Sequence, residues 1–497
     1  MAASEVDGMR AASARGAAAW IWLAVAVAVV LRAWEAFESS LWLDELHTLA
    51  HASLPGVSEV LAHVRAEVVH QPLFFLAVHA FGGWDEGAAL RVLPVLSSLL
   101  VFLPLLAFAR RSFGSGVALT LTAWLFACIP YQVHYATELR PYAWLAVFSA
   151  GATHAAFSES GSRLGRIALF FVCVAAGVWT HRLMEFVIFS IGAARLLVRS
   201  REMLPLWWLI VAGAIAVAPE VAWLVEYAQK ATEDRFDYQA SHGGFRLRPV
   251  LVQEAAALPL RLVAPFLGAL GGAWAWLAKA ALGVFGFVCL GALVNFVRRR
   301  RESPPLAPAL RALLWFAAID FAIVVALSFY RWDRLPLQYF APVAWVLPLM
   351  IAALAQRWPE RSRHVLVGLL GLSTLALGVA QAGGQAMEDM RGAVRVARDV
   401  GAQLREPLYS ALLSQPDLFD ETIPFRAYAP ELGALEPEAV PQPGTPGFER
   451  PLVVLQRGQI LEDNAGWAPL KAGRVVVRRE RVDFYLTVLV LEPEGAR

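Results

Sequence analysis

An all-α polytopic membrane protein with a small C-terminal α/β soluble domain is the fold class this sequence predicts, and three observations predict it. The 497 residues are 58% hydrophobic and only 17% charged, against about 45–50% and about 25% in an average soluble protein. The mean hydropathy is +0.53, and the apolar residues fall in long runs rather than in the short alternations of a soluble core. Every second gap between those runs is basic, and the gaps between them are acidic or mixed. A disordered chain, a disulfide scaffold and a soluble multidomain enzyme are excluded by the same figures. A net charge of +2 carries no footprint of nucleic-acid binding. Cys128, Cys173 and Cys289 all sit in apolar runs and read as small core residues.

A bilayer core takes about 20 apolar helical residues. Eleven runs qualify, at 17–35, 88–109, 116–134, 141–158, 166–180, 183–198, 204–225, 272–297, 309–329, 336–356 and 364–384. The stretches 71–83 and 251–268 are short or interrupted and read as interfacial or re-entrant helices. The first run is too long for a removable signal peptide and has no small-residue cleavage site. Orientation follows from positive charge, which cytoplasmic loops retain. Arg10 and Arg15 precede the first run. With 71–83 not spanning, alternate loops then carry Arg110–Arg111, Arg163 and Arg166, Arg199 and Arg201, Arg298 to Arg301, and Arg357, Arg361 and Arg363. These loops are expected on the cytoplasmic side. The acidic and mixed loops are expected on the extracytoplasmic face, and chemistry is to be sought there.

Beyond residue 385 charges return to ordinary density. Met387–Leu404 has helical periodicity, and Pro451–Gln456, Val475–Arg478 and Phe484–Leu491 read as strands. The expected division is a membrane domain over 1–385 and an extracytoplasmic α/β domain over 386–497.

The first outer loop opens with Leu41-Trp42-Leu43-Asp44-Glu45-Leu46-His47. An adjacent acid pair just beyond a span is costly near lipid unless it faces water or a cavity. It reads either as a general base or cation ligand, or more plainly as acids capping the helix that follows. His70-Gln71-Pro72-Leu73-Phe74-Phe75 continues the loop, and Ala89-Leu90-Arg91-Val92-Leu93-Pro94 opens the next run. Tyr135-Ala136-Thr137-Glu138-Leu139-Arg140-Pro141-Tyr142 and Leu337-Gln338-Tyr339-Phe340-Ala341-Pro342 follow. In order and spacing this set resembles the bacterial integral-membrane glycosyltransferases of the GT-C class. The likeness is to the group of the protein O-mannosyltransferases and the lipid A aminoarabinose transferase, over about residues 17–400. Met390-Arg391-Gly392-Ala393-Val394-Arg395 also resembles a stretch found where the membrane part of that group ends.

The resemblance implies about 11 transmembrane helices of GT-C type plus interfacial helices. It implies inverting transfer of a hexose or pentose from a polyprenyl-phosphate donor to an acceptor hydroxyl on a glycolipid, polysaccharide or protein. Cationic side chains can neutralise the leaving phosphate, while the acceptor hydroxyl needs a base. Asp44 is that base by resemblance, with Glu45 orienting the acceptor or holding a divalent cation. His70, Glu138, Arg140, Arg331, Arg334 and Tyr339 are the substrate-binding candidates. Arg140 holds the phosphate or pairs with Glu138. Gln338 stands where arginine is usual, which brings Arg331 and Arg334 forward. His134 and His181-Arg182, at span ends, read as structural. Lys279 and Asp320, inside spans, read as a structural pair. No metal-ligand spacing and no phosphate-binding glycine loop occurs. Two rival classes stay open. A transporter is disfavoured by the lack of internal repeats. A lipid-linked polysaccharide ligase or polymerase would use Glu233, Asp234, Arg235, His242 and Arg246 in the loop 226–271.

Overall fold

The computed structural model describes residues 2–67, 71–82, 87–114, 116–221, 225, 257–258, 260–265, 272–299, 306–331, 336–356, 358–384, 389–404, 408–411, 428, 441, 443–446, 448–457, 472–482 and 486–495. They form two compact units. The first comprises Met1–Ala36, Leu54–Ala80 and Arg91–Gly384; the second comprises Phe37–Ser53, Phe81–Leu90 and Gln385–Arg497.

The first unit is helical. Its elements are α1 (Ala2–Glu38, which runs on into the second unit), α3 (Val57–Glu67), α4 (Pro72–Phe81), α5 (Val92–Leu100), α6 (Phe102–Phe113), α7 (Val117–Cys128), α8 (Pro130–His134) and α9 (Tyr142–Phe157). They continue with α10 (Arg163–Val178), α11 (Leu183–Leu197), α12 (Leu206–Val217), α13 (Gly272–Arg299), α14 (Pro308–Arg331), α15 (Ala341–Ala344), α16 (Leu347–Ala355) and α17 (Glu360–Gly383). Helix α2 (Leu43–Ala52) belongs to the second unit.

Five helical stretches among the described residues are long and apolar enough to cross a membrane: Gly16–Glu38, Gly87–Phe113, Gly272–Arg298, Pro308–Ser328 and Ser362–Gly383. A sixth is formed if Leu337–Ala344 and Leu347–Ala355, bent by 59°, count as one. The bend has a cause: Pro348 has no N–H for the carbonyl of Ala344, and the Trp345 indole donates to Pro342 O at 2.8 Å across the turn. The chain is a multi-pass membrane protein, and large apolar side chains such as Trp22, Leu103 and Phe287 stand exposed on these helices, as a lipid-facing surface requires. Helix α4 has ten residues, too few to span, and 251–268 lies mostly outside the described residues.

The helices pack chiefly as α13 on α17, α9 on α10, α11 on α14, and α10 on α12. Helix α17 also passes close to the end of α7: a Cβ on Gly378 would stand 2.6 Å from the carbonyl oxygen of Cys128. The pairing expected between Lys279 and Asp320 does not form. Lys279 lies exposed, its ammonium 5.5 Å from the Trp276 ring. Asp320 is buried and meets the Ser190 hydroxyl at 3.5 Å. One charge is exposed and the other buried, so the two face different surroundings.

In the second unit, α18 (Met390–Leu404) lays Met390, Ala393, Val394, Ala397 and Val400 on a sheet. This i, i+3, i+4, i+7 spacing is one helix face. The strands are β1 (Leu408–Ala411), β2 (Leu452–Arg457), β3 (Arg474–Arg481) and β4 (Leu486–Pro493), in the order β1-β2-β4-β3. β1 runs parallel to β2, and β4 runs antiparallel to β2 and β3. Central β2 reads Leu-Val-Val-Leu and buries all four residues, as a strand covered on both faces does. Edge strand β3 is charged and carries a register shift between Val476 and Arg478, both of which discourage edge-to-edge pairing. Arg474 fixes the proline-rich loop before β2, donating to Phe448 O, Arg450 O and Pro441 O at 3.0, 3.1 and 3.3 Å.

Candidate active site

In the second unit the acid pair opens α2. Trp42 is extended, with φ −94° and ψ 173°, and the helix begins at the next residue. The backbone N–H of Trp42 donates to Glu45 Oε2 at 3.1 Å, and the N–H of Glu45 donates to Trp42 O at 3.0 Å. Glu45 thereby satisfies a backbone group at the helix start, the work of an acid at the third helical position. It is fully buried, whereas Asp44, one residue earlier, is half-buried. The plainer reading thus fits Glu45, and Asp44 lies beside it in the first turn. The strand-like approach to the pair is held from far along the chain. Leu41 N–H donates to the Tyr428 hydroxyl at 2.6 Å, and the Arg391 guanidinium lies 5.9 Å over the Tyr428 ring.

In the first unit, helices α7 and α8 build a second polar centre. Pro130 lacks the N–H that would serve Phe126 O, and the helix breaks at Ile129. Arg32 on α1 supplies the missing donors. Its Nη2 donates to Phe126 O at 3.2 Å, its Nη1 to Ala127 O at 3.1 Å, and its Nε to Ser98 Oγ at 3.1 Å. One turn later on α1, Glu35 faces His134 at the end of α8. His134 Nδ1 lies 2.8 Å from Glu35 Oε1, and its Nε2 lies 3.0 Å from Glu138 Oε1. Gln381, at the end of α17, donates to Glu35 Oε1 at 3.0 Å. All four side chains are buried. A neutral imidazole can donate from one nitrogen only; the imidazolium donates to both carboxylates. Beyond it a row of rings runs from Tyr131 to Tyr135 (4.4 Å), Tyr142 (5.9 Å), His181 (5.8 Å) and Tyr339 (6.2 Å).

The structure therefore joins Glu138 to His134 and leads by aromatic contacts to half-buried Tyr339. Arg140 is buried in the same turn, its N–H donating to Glu138 O at 2.7 Å. Arg331 ends α14, its side chain outside the described residues, as are His70, Arg334 and the loop residues Glu233, Asp234, Arg235, His242 and Arg246. Arg32, Glu35, Gln381 and Tyr428 carried no expectation from sequence. A signal existed for two of them, since Arg32 and Glu35 are ionisable residues in and just after an apolar run. Among the described residues there is no group of three or more His, Cys, Asp or Glu side chains that could hold a metal ion.

The fold, as fold alone, is of the GT-C type found in the following solved structures. The chain is similar to the crystal structure of ArnT from Cupriavidus metallidurans in the apo state, with a TM-score of 0.54 and 14% identity over 96% of this chain and 98% of that one. The same enzyme bound to undecaprenyl phosphate matches with a TM-score of 0.54 and 14% identity, over 95% of this chain and 98% of that one. The archaeal oligosaccharyltransferase AglB from Archaeoglobus fulgidus, in complex with an inhibitory peptide and a dolichol phosphate, matches with a TM-score of 0.47 and 14% identity, over 89% of this chain and 69% of that one. No protein-family model matches the sequence, and no curated protein matches it.

Proposed function

We propose that this protein transfers a hexose or pentose from a polyprenyl-phosphate donor to an acceptor hydroxyl, on the extracytoplasmic face of a bacterial inner membrane. The observation that carries the reading is the acidic turn, where Glu45 accepts from the backbone at the helix start and half-buried Asp44 stands beside it in the same turn. The fold shared with ArnT, bound to undecaprenyl phosphate in one structure, supports it. In this reading Asp44 takes the proton of the acceptor hydroxyl as that oxygen attacks the anomeric carbon. The bond from that carbon to the phosphate oxygen breaks, polyprenyl phosphate leaves, and the configuration inverts. Arg140, Arg331 and Arg334 are the candidates to neutralise the departing phosphate. His70, Glu138 and Tyr339 are proposed to shape the sugar and acceptor subsites, and Glu45 to position Asp44. The topology proposed with it has about 11 spans, a membrane domain over 1–385 and an extracytoplasmic domain over 386–497. The acceptor, whether glycolipid, polysaccharide or protein, is the extracytoplasmic partner.

Radiolabelled transfer from polyprenyl-phosphate monosaccharides into a membrane fraction tests the reading. Asp44→Asn should lower transfer at least about a hundredfold, the contribution of a general base. Glu45→Gln, which keeps a carbonyl to accept from Trp42 N–H, should lower it less than about tenfold. Full transfer by Asp44→Asn removes the base assignment. Absence of transfer from every monosaccharide donor, hexose and pentose alike, points instead to ligation of longer glycans or to transport.

A further inference from the structure

The arginine-rich ends of the first unit's helices carry a cleft that the proposed reaction does not use. It measures about 300 Å³ and is walled by Arg110, Arg111, His154, Ser158 and Ser160 over a floor that includes Phe108. That volume is within the range of small-ligand sites. Arg111 is engaged with Glu159, and at 3.4 Å with Glu202. Arg166 is spent on the carbonyls of Ser158 and Glu202. Arg110 is exposed at the rim. The buried Nδ1 of His154 has no hydrogen-bond partner among the described residues, and its ring stands edge-on to Phe108 at 5.4 Å. Three arginines against two glutamates leave the cleft positive.

A second observation concerns the helix that leads to it. Along Gly87–Phe113, Leu96, Leu100 and Leu103 are 57%, 53% and 71% exposed. With exposed Ala107 and Arg110 they repeat at three- and four-residue spacing, so they form one stripe along the helix. An apolar track on a lipid-facing surface thus ends at an arginine beside a positive cleft. A free anion would use the arginine but not the track, and a neutral chain would use the track but not the arginine.

We propose that this cleft binds an anionic phospholipid, with the phosphodiester between Arg110 and His154 and an acyl chain along the leucine stripe. Basic pockets between spanning helices attract such headgroups through charge and donors, and each arginine near the membrane surface adds measurably to the attraction. A headgroup with its own ammonium would bring that charge against Arg110 and Arg111, so the zwitterionic lipid is the weaker ligand. The site depends on neither Asp44 nor the donor reading.

The experiment uses the full chain, purified in detergent and stripped of lipid. Retention is read by native mass spectrometry, and the unfolding midpoint is read with added phosphatidylglycerol, phosphatidylcholine or inorganic phosphate. Phosphatidylglycerol should be retained and should raise the midpoint, with phosphatidylcholine at least about fivefold weaker. Inorganic phosphate at equal concentration should do neither. Arg110→Gln should weaken phosphatidylglycerol retention about fivefold, the worth of one surface arginine, and Arg110→Lys should keep most of it. Ser160→Glu, which puts a carboxylate at an exposed rim position, should weaken it independently. Equal retention of the two lipids, or variants that bind as the parent does, would overturn the proposal. Protection by inorganic phosphate as strong as that by phosphatidylglycerol would overturn it in favour of a soluble-anion site.

Discussion

His134 shows how one residue's chemistry is set by what surrounds it. The sequence places a histidine at a span end, an address at which most imidazoles are structural. Two carboxylates, one facing each ring nitrogen at 2.8 and 3.0 Å, give that structural place a specific set of partners. Removing one partner of such a group leaves uncompensated charge in a low-dielectric site. His134→Ala, which leaves the Glu35 and Glu138 carboxylates buried without the imidazole between them, should lower the unfolding midpoint more than His134→Gln, whose amide can still donate to one of them. Unfolding followed by tryptophan fluorescence checks this, and equal midpoints in the parent and both variants would contradict it. Glu45 makes the converse point. Its position beside Asp44 suggested shared chemistry, but one hydrogen bond from Trp42 commits it to the backbone.

At the scale of elements, the junction of α7 and α8 is a break written by a proline and repaired by an arginine from elsewhere. Pro130 is visible in the sequence as a helix breaker, and the carbonyls it orphans are predictable from the i→i−4 pattern. Their donor is not predictable, because Arg32 lies 94 residues away from Phe126. Arg32→Ala should destabilise the fold by about 2–4 kcal/mol, since two buried carbonyls lose their donors. Arg32→Lys should recover little, because one ammonium cannot reproduce the planar fork that reaches Phe126, Ala127 and Ser98 together. Adding Pro130→Ala to Arg32→Ala restores an N–H opposite Phe126 O and should regain part of the loss. A double mutant no more stable than Arg32→Ala would show that the break is not what Arg32 serves.

For the whole molecule, the arginine distribution makes a sided prediction. A cysteine at Thr445, exposed in the second unit, should react with a membrane-impermeant maleimide in intact cells. A cysteine at Ser160, exposed among the arginine-bearing turns of the first unit, should react only after permeabilisation. Cys289→Ser provides the background, since Cys128 and Cys173 are already buried. The reverse pattern would invert the proposed orientation and take Asp44 with it. In the proposed orientation, the arginines that set the sidedness include those of the cleft at Arg110, so the proposed sidedness and the proposed lipid selectivity have one electrostatic origin.

What the sequence determined by itself was whatever neighbours along the chain encode. Run length and hydropathy marked α1, α13, α14 and α17 as long apolar helices, because a helix in lipid satisfies its own backbone and needs only an apolar surface. Periodicity marked the α18 face and strands β2, β3 and β4 to within a few residues. β1 was not legible: its four residues are too few to show a pattern, and they become a strand by pairing with β2. The acids that open α2 were legible as an adjacent pair, though not that Glu45 is the one bonded to the helix start. Only the tertiary structure decided the partners. It set Glu35 against a histidine 99 residues on and bonded Leu41 to a tyrosine 387 residues on. It also turned Lys279 outward from Asp320. The physical reason is common to all three. Hydropathy and propensity act over a few residues, whereas hydrogen bonds and ion pairs between buried groups depend on which helix faces the packing brings within about 3 Å of each other.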